Sequence, residues 1–454
     1  MSIPLEQNEK TVLARASGKT VLDAFKRLEP HLNRNRWVGS RNRYRKNCVD
    51  FLKNDLGPGG TVVENDLAQY LAASVPLHCA DGWSFLSRAV QCHVTGDADA
   101  SRHMGYYAEL RAAMSILAAE GKGIFNNRHI IFDQNQVCNH VPSRLRRGTH
   151  DMTWLALDDW AGSPSSSELL GDVIQPNGKP LKEWLQAFSS GNQYWSFGRE
   201  WFTEWGLDLQ TMFKDRDARN EASYRPTRIN SVAPLSFRET RDSVFNLWRF
   251  CEPVLSPFEK LDRHLLRLGL EKAFWSTEKK LPRRYPAVFR ERMNQVVKNM
   301  SLNNFEKQWW NRFLTRRLSP DDPAIIRDAK QNRPMTDPHH HLHVIARATL
   351  LLRIASGVTA KFLSESRYNS AHFEFWWKRF GLDRGLWLPS DLQSDFRNLW
   401  PDVEEAINEL QRWQPKQGQK RTYAYLRKEN PGPISVLCSC ERIALWGLGL
   451  WDSH

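Results

Sequence analysis

Residues 144–150 contain an arginine and a histidine at a spacing that could do chemistry. Five residues separate Arg144 from His150, and Arg146 and Arg147 lie between them. A planar guanidinium can hold a phosphate through paired hydrogen bonds, and a neutral imidazole can take the proton of a ribose 2′-hydroxyl. The pattern therefore predicts RNA cleavage that needs no metal ion and no other cofactor. Its products would be a 2′,3′-cyclic phosphate and a 5′-hydroxyl.

The histidine of this pair is predicted to lie in the first turn of a helix. Thr149 is a good N-cap, and Trp154 and Leu157 follow at helical spacing. Because the positive end of a helix dipole disfavours another positive charge, we expect the His150 ring to be neutral near pH 7. Arg144 would then hold the scissile phosphate while His150 acts as general base.

A helical hairpin precedes this pair. Apolar residues recur at three- and four-residue intervals over 80–95 and again over 101–120. A short turn over 96–100 joins the two helices, and Gly121 and Gly123 end the second one. Such a hairpin needs further helices to cover its exposed face.

The hairpin and its flanks resemble the HEPN superfamily of four- and five-helix bundles. The resemblance covers about 70–165 and rests on Arg102-x-x-x-Tyr-Tyr-Ala, a run of Ala, Leu and Met, Glu120-Gly, and Asn126-x-x-His. Many members are ribonucleases of toxin–antitoxin and anti-phage systems. Their active site is an arginine followed within a few residues by a histidine, commonly where two bundles meet.

The resemblance assigns that active-site pair to Arg144 and His150. Members commonly have Asn or Asp directly after the arginine, whereas this chain has Leu145. We expect Glu109 and Arg102, on the neighbouring helix, to orient the pair. A homodimer or a larger protein complex follows from the same resemblance.

The whole chain is predicted to be mainly α. Short β signals occur at 61–63 and 129–132, too few for a central sheet. Linker-like stretches at Gly162–Ser167 and Gln175–Pro180 suggest a division near 165. The expected units are a basic N-terminal element or arm over 1–65, a HEPN-like bundle over 66–165, and a large Trp-rich helical domain over 180–454.

Composition and charge favour a nucleic-acid partner. The 454-residue chain has a formal net charge of +13, spread along its length, and a pI near 9.4. Seven scattered cysteines and an N-terminus without a signal peptide indicate the cytoplasm. No membrane association is expected, because the longest apolar region, Val344–Val358, is interrupted by Arg347 and Arg353.

A basic stretch with interleaved aromatic rings is the clearest candidate nucleic-acid surface. Trp37 and Tyr44 are expected to stack on bases while the surrounding cations hold phosphates. The candidate nucleic-acid-binding residues are Arg34, Arg36, Trp37, Arg41, Arg43, Tyr44, Arg45, Arg146 and Arg147.

A histidine-rich stretch is a rival for the same chemistry. Arg333 and His339 repeat the arginine–histidine spacing, and His339, His343 and Asp337 could instead hold a metal. The glutamate of a His-Glu-x-x-His hydrolase is missing, so a histidine-rich loop before a buried helix is favoured and no metal is assigned. The Cys/His pairs at 78–79 and 92–93 and the Cys pair at 438–440 are interpreted as structural.

The leading hypothesis is a metal-independent endoribonuclease of a stress or anti-phage defence system. The alternative is a non-catalytic subunit that binds nucleic acid or protein within a larger complex. ATP-driven chemistry is not expected, because the sequence has no Gly-Lys-Ser/Thr phosphate loop.

Overall fold

The computed structural model describes residues 3–142, 145–188, 198–224, 235–277, 285–316, 323–393, 395–414 and 423–449. The helices are α1 Gln7–Leu13, α2 Gly18–Lys26, α3 Glu29–Leu32, α4 Cys48–Asp55, α5 Glu64–Val94, α6 Ala98–Ala119, α7 Thr149–Ala161, α8 Pro164–Val173, α9 Leu181–Phe188, α10 Gly198–Glu204, α11 Leu209–Tyr224, α12 Phe237–Phe250, α13 Glu259–Thr277, α14 Tyr285–Asn299, α15 Asn304–Thr315, α16 Ala324–Ala329, α17 His340–Glu365, α18 Glu374–Asp383, α19 Trp400–Arg412, α20 Tyr423–Glu429, α21 Pro431–Leu437 and α22 Glu441–Trp446. The protein is mainly α.

The strands form one small antiparallel sheet. They are β1 Lys122–Gly123, β2 Ile130–Phe132 and β3 Cys138–His140, with β2 in the centre. The predicted β signal at 129–132 is confirmed by β2, whereas 61–63 lies outside any strand and leads into α5.

Three long helices form the centre of the structure. Helices α5 and α6 pack along each other, and α17 packs against both. Two glycines permit this close approach: a Cβ at Gly82 would lie 2.5 Å from Leu352 Cδ2, and one at Gly105 would lie 3.0 Å from Val344 Cγ1. The predicted hairpin is therefore covered by a helix from far along the chain.

Helix α17 is the one described helix that is long and apolar enough to cross a membrane. It is a core helix here, since 94% of its most apolar 18-residue window is buried inside the protein. Because other parts of the protein cover α17 on all sides, apolar residues are favoured on every face of this helix.

The N-terminal region is folded onto the centre rather than extended as an arm. Helix α2 packs against α5 and α6, and Val21 and Phe25 are fully buried. The carbonyl of Phe25 also accepts a hydrogen bond from the Tyr368 hydroxyl at 3.0 Å. The basic segment between α3 and α4 is consequently part of the folded surface.

The serine-rich stretch predicted as a linker is mostly helical. Helix α8 begins at Pro164, whose fixed φ suits the first helical position. The Ser163 hydroxyl donates to the Trp160 carbonyl at 2.6 Å, and the Ser166 hydroxyl donates to the Ala161 carbonyl at 3.0 Å. These serines connect α7 and α8 through hydrogen bonds to the last carbonyl groups of α7. The domain division near 165 stays a prediction.

Candidate functional site

Helix α7 places His150 in its first turn. Gly148 occupies the N-cap position without a side-chain hydrogen bond, so Thr149 is the first helical residue rather than the predicted cap. The side chain of His150 is half-buried between α6 and α11.

The contacts of His150 fix which ring nitrogen carries the proton. Arg219 on α11 donates from Nη2 to Nε2 of His150 at 3.0 Å, and a guanidinium can only donate. The neutral ring must therefore carry its proton on Nδ1 and donate it to the Tyr106 hydroxyl, 2.9 Å away. That hydroxyl oxygen also accepts from Trp154 Nε1 at 3.2 Å.

The His150 ring is held in its neutral form. Burial lowers its pKa to about 4, and the positive charges of Arg219 and Arg216 add to the effect. Nε2 is consequently unprotonated near neutral pH, and its lone pair faces Arg219. Sequence analysis predicted the neutral ring; the larger cause is burial.

A second imidazole lies beside the first. His103 and His150 both contact the Tyr107 ring, with centroid separations of 5.1 and 6.1 Å. The Ser223 hydroxyl donates to the Arg219 carbonyl at 2.8 Å, so its oxygen accepts from Nδ1 of His103, also at 2.8 Å. Nε2 of His103 then has a lone pair to which no described group donates.

Arg219 packs on the cluster formed by Tyr106, Tyr107 and His150. Its guanidinium lies over the rings of Tyr106 and Tyr107, 5.4 Å from each centroid, and the residue is only 8% exposed. Its Nε is buried without a partner among the described residues. One helical turn earlier, Arg216 forms an ion pair with Asp151 that ties α11 to α7.

Sequence analysis missed Arg219, Arg216 and His103. Arg216 and Arg219 are three residues apart on one face of α11, which was a usable signal of a basic stripe. Their proximity to His150 was not predictable from spacing, because α11 is remote from α7 in the sequence.

The arginines of the predicted basic turn have different environments. Arg144 lies outside the described residues. Arg146 is exposed, with a φ of 44°. Arg147 is buried; it forms an ion pair with Glu9 at 2.8 Å and donates to the Ile3 carbonyl at 2.7 Å. Arg147 therefore attaches the first described residues to the protein and is not available to phosphate.

Arg102 does not reach His150. It is buried, its Nε donates to Nδ1 of His340 at 3.2 Å, and its Nη1 contacts Asp99 at 2.5 Å. The expected role of orienting the Arg144–His150 pair is therefore replaced by a contact between α6 and α17.

Glu109 also lies away from His150, in a buried cluster with Asp215 and Arg347. Arg347 donates to both carboxylate oxygens of Asp215, at 2.9 and 2.7 Å, and its Nε lies 3.6 Å from Glu109. Burial and the nearby charge of Asp215 raise the pKa of Glu109 well above its ordinary value. One guanidinium thus serves two carboxyl groups, and burial raises the pKa of Asp215 as well as that of Glu109.

The histidine-rich stretch is built into the helix junction. His339 contacts Asp337 at 3.2 Å and Glu239 at 3.0 Å, while His341 contacts His93 at 2.9 Å. Within the described ranges, no group of three His, Cys, Asp or Glu side chains could hold a metal ion. His343 is separately buried.

The rival pair Arg333 and His339 meets at one carboxylate, since His339 contacts Asp337 at 3.2 Å. Arg333 pairs with Asp337 at 3.0 Å. It also lines a cavity of about 330 Å³ together with His340, His343 and Arg347. Arg333 and Arg347 already have carboxylate partners, so these two cations of the cavity wall are neutralised by the protein itself.

The Cys/His pairs do not gather either. The Cys79 sulfur lies 3.5 Å from the Ser356 hydroxyl, and burial raises the pKa of Cys79 to about 11. His78 accepts from Arg111, and the pKa of buried Cys438 is raised to about 12. These cysteines are all free thiols.

The N-terminal basic stretch divides into exposed and structural residues. Arg43 pairs with Asp55 at 2.6 Å, and the fully buried Tyr44 donates to the same carboxylate at 2.8 Å. Tyr44 therefore has no ring face for a base. Trp37 is half-buried, Arg43 is exposed although it is paired with Asp55, and the other exposed candidates in this stretch are Arg34, Arg36, Arg41 and Arg45.

Comparison of the chain with protein-family models, with curated proteins and with solved structures found no match.

Proposed function

We propose that this protein is a metal-independent endoribonuclease whose reaction centre is His150. The observation that carries the proposal is the neutral His150 ring, with its unprotonated Nε2 3.0 Å from the guanidinium of Arg219. A base next to a phosphate-binding group is the minimum that ribose-directed cleavage requires. The resemblance to HEPN proteins supports the same reaction, and a role in stress or anti-phage defence rests on that resemblance alone.

The proposed reaction is a transesterification. Nε2 of His150 takes the 2′-hydroxyl proton, the 2′-oxygen attacks phosphorus, and the bond from phosphorus to the 5′-oxygen breaks. The leaving 5′-oxygen takes up a proton from a general acid. His150 then releases the ribose proton to solvent, and the general acid is reprotonated from solvent. The products are a 2′,3′-cyclic phosphate and a 5′-hydroxyl, with no water consumed.

Arg219 has two successive partners in this proposal. In the unliganded protein it donates to Nε2 of His150. An incoming phosphodiester offers charged oxygens, which are stronger acceptors for a guanidinium than a neutral imidazole. Transfer of Arg219 to the phosphate would free the Nε2 lone pair where the proton is to be taken. Arg144, to which the sequence assigns phosphate binding, would supply a second cation.

His103 is the proposed source of the proton for the leaving oxygen. Its Nδ1 is fixed by Ser223, which leaves Nε2 as the titrating nitrogen. Burial and the charge of Arg219 lower its pKa in the free protein. A bound phosphate would offset the charge of Arg219 and raise the pKa of His103, so that it could be protonated when substrate is present.

Cleavage of a labelled single-stranded RNA in EDTA tests the proposal. His150→Gln keeps an acceptor for Arg219 and removes the base, so cleavage should fall by about a hundredfold or more. His140→Ala, at an exposed histidine on β3, is the matched control and should retain activity. The product ends should be cyclic phosphates, and an all-deoxy strand should resist cleavage. Equal activity in His150→Gln would refute the site.

The alternative is a binding subunit without turnover. Its supporting observation is that Arg219 covers Nε2 of His150 in this structure and is almost fully buried. If Arg219 never leaves His150, the exposed cations would bind RNA with a salt-sensitive affinity and no cleavage would occur. Homodimerisation or a larger complex belongs to this proposal as well.

A further inference from the structure

A cavity of about 470 Å³ lies between the N-terminal basic segment and the middle of α5, away from the contacts of His150. Its volume is within the range of small-molecule sites, which is roughly 300–1,000 Å³. The walls come from residues 35–38 and Arg45, from 70–81 on α5, from Arg111 on α6, and from Phe375.

Unpaired guanidiniums line this cavity. Arg36 and Arg45 are exposed, and neither guanidinium has a hydrogen bond or ion pair with a described residue. Arg111 is partly used: its Nη1 donates to Nδ1 of His78 at 2.8 Å and lies 3.9 Å from Asp81. Three guanidiniums against one carboxylate leave the cavity with an excess of positive charge, which suits an anionic ligand.

Aromatic rings form the rest of the wall. Trp37 is half-buried and is held edge-to-face against Phe375, with centroids 5.9 Å apart. Tyr70 lines the cavity from α5 and packs against Phe125 with centroids 6.2 Å apart. These neighbours hold the rings of Trp37 and Tyr70 in place before any ligand arrives, which lowers the entropic cost of stacking on them.

His78 adds a directed donor. Because Arg111 donates to Nδ1, the neutral His78 ring carries its proton on Nε2. Burial keeps the ring neutral by lowering the pKa of His78 to about 3. A cavity with an N–H donor, flat apolar rings and free guanidiniums combines the groups that contact a base with those that contact a phosphate.

We propose that this cavity binds a single nucleotide unit, with its base against Trp37 and Tyr70 and its phosphate held by Arg36 and Arg45. The unit is either a free nucleotide or one nucleotide of a single strand, since both present the same base and phosphate. The proposal goes beyond RNA cleavage at His150 and does not depend on it.

Calorimetric titration of the full chain with nucleoside 5′-monophosphates, the matching nucleosides and inorganic phosphate tests the proposal. A monophosphate should bind at least about tenfold more tightly than its nucleoside or phosphate alone, because it fills both parts of the cavity. The arm that distinguishes the sources is a short deoxyoligonucleotide, which resists ribose-directed cleavage. Tighter binding of the monophosphate identifies a free nucleotide, and tighter binding of the strand identifies a strand.

Matched double variants test the location. Arg36→Ala/Arg45→Ala should weaken nucleotide binding at least about tenfold, whereas Lys46→Ala/Lys53→Ala removes the same charge from exposed positions near this segment but outside the cavity and should change it less than about twofold. Equal losses in both variants, or no saturable binding of any probe, would overturn the proposal. His150→Gln should bind nucleotide normally, so failure of cleavage and failure of this site are distinguishable.

Discussion

His341 donates from Nε2 to Nδ1 of His93, 2.9 Å away, and the far end of the chain of hydrogen bonds imposes this direction. Ser243 gives its hydroxyl proton to the Thr240 carbonyl, so its oxygen accepts from Nε2 of His93 at 2.8 Å. Nδ1 of His341 is left buried without a described partner. Each ring carries one proton, and a second proton on His93 would occupy Nδ1, the acceptor for His341, and break the chain that joins α17, α5 and α12.

We predict that acid destabilises the protein through its buried histidines. Burial lowers the pKa of these residues from 6.5 to between about 3 and about 4; they are His78, His93, His129, His264, His340 and His343. Below pH 6.5 the unfolded chain binds protons that the folded chain does not, so their contribution is complete above that pH and is lost as pH falls toward the folded values.

The expected slope is about 1.4 kcal/mol per pH unit for each such histidine. Urea unfolding at several pH values between about 7.5 and about 5 measures it. His93→Asn keeps an acceptor for His341 and should reduce the slope by the contribution of one histidine, about 1.4 kcal/mol per pH unit. A free energy of unfolding that stays constant over this range would contradict the prediction.

We predict a large loss of stability at one member of the buried Glu109–Asp215–Arg347 cluster and a small loss at another. Arg347→Ala leaves the Asp215 carboxyl buried without its guanidinium partner and should lower the free energy of unfolding by about 3–5 kcal/mol. Glu109→Gln replaces a carboxyl whose raised pKa favours its neutral form and should cost less than about 1 kcal/mol. Chemical denaturation at neutral pH measures both, and Arg238→Ala, at a highly exposed arginine, is the control.

We predict that His150 titrates far below an ordinary histidine. Nitrogen-15 NMR of the imidazole should show a pKa of about 4 and a proton on Nδ1 throughout the neutral range. Arg219→Ala removes a positive neighbour and should raise this pKa toward 6.5. An unchanged titration in the variant would show that Arg219 does not act on the ring in solution.

We predict that Tyr44 contributes to stability and not to nucleic-acid binding. Tyr44→Phe removes the hydroxyl that donates to Asp55 and accepts from the Val63 N–H at 3.1 Å. The loss should be about 1–3 kcal/mol of unfolding free energy, with RNA affinity unchanged. Arg41→Ala, at an exposed cation in the same segment, should give the reverse result. Weaker RNA binding by Tyr44→Phe would restore the stacking hypothesis.

Local patterns predicted the helices well and their partners poorly. The apolar repeats over 81–95 and 101–120 correspond to parts of α5 and α6, but α5 begins at Glu64, because Pro76 is accommodated inside the helix. The position of His150 in the first turn of α7 could be predicted because the start of a helix has a local sequence signature. Arg219 and His103 could not be assigned to it, since their contacts depend on how α11 packs on α6.

Burial also decided which cations are available to a ligand. Arg147 and Arg45 look alike in the sequence, each beside other basic residues, yet Arg147 is paired with Glu9 and Arg45 is exposed. The carboxylate that takes one arginine out of solvent comes from a distant segment, so composition alone does not separate the two.

The two arginines that interrupt the apolar run of α17 have a consequence for folding. Arg347 binds Asp215 on α11, and Arg353 binds Asp262 on α13 at 2.6 Å. A helix that is apolar on every face could rotate about its own axis with little change in buried area. The ion pairs of Arg347 and Arg353 restrict α17 to one rotation, because each guanidinium must face its carboxylate. Apolar replacements that keep the volume would preserve compactness while allowing this helix to settle in more than one rotational setting.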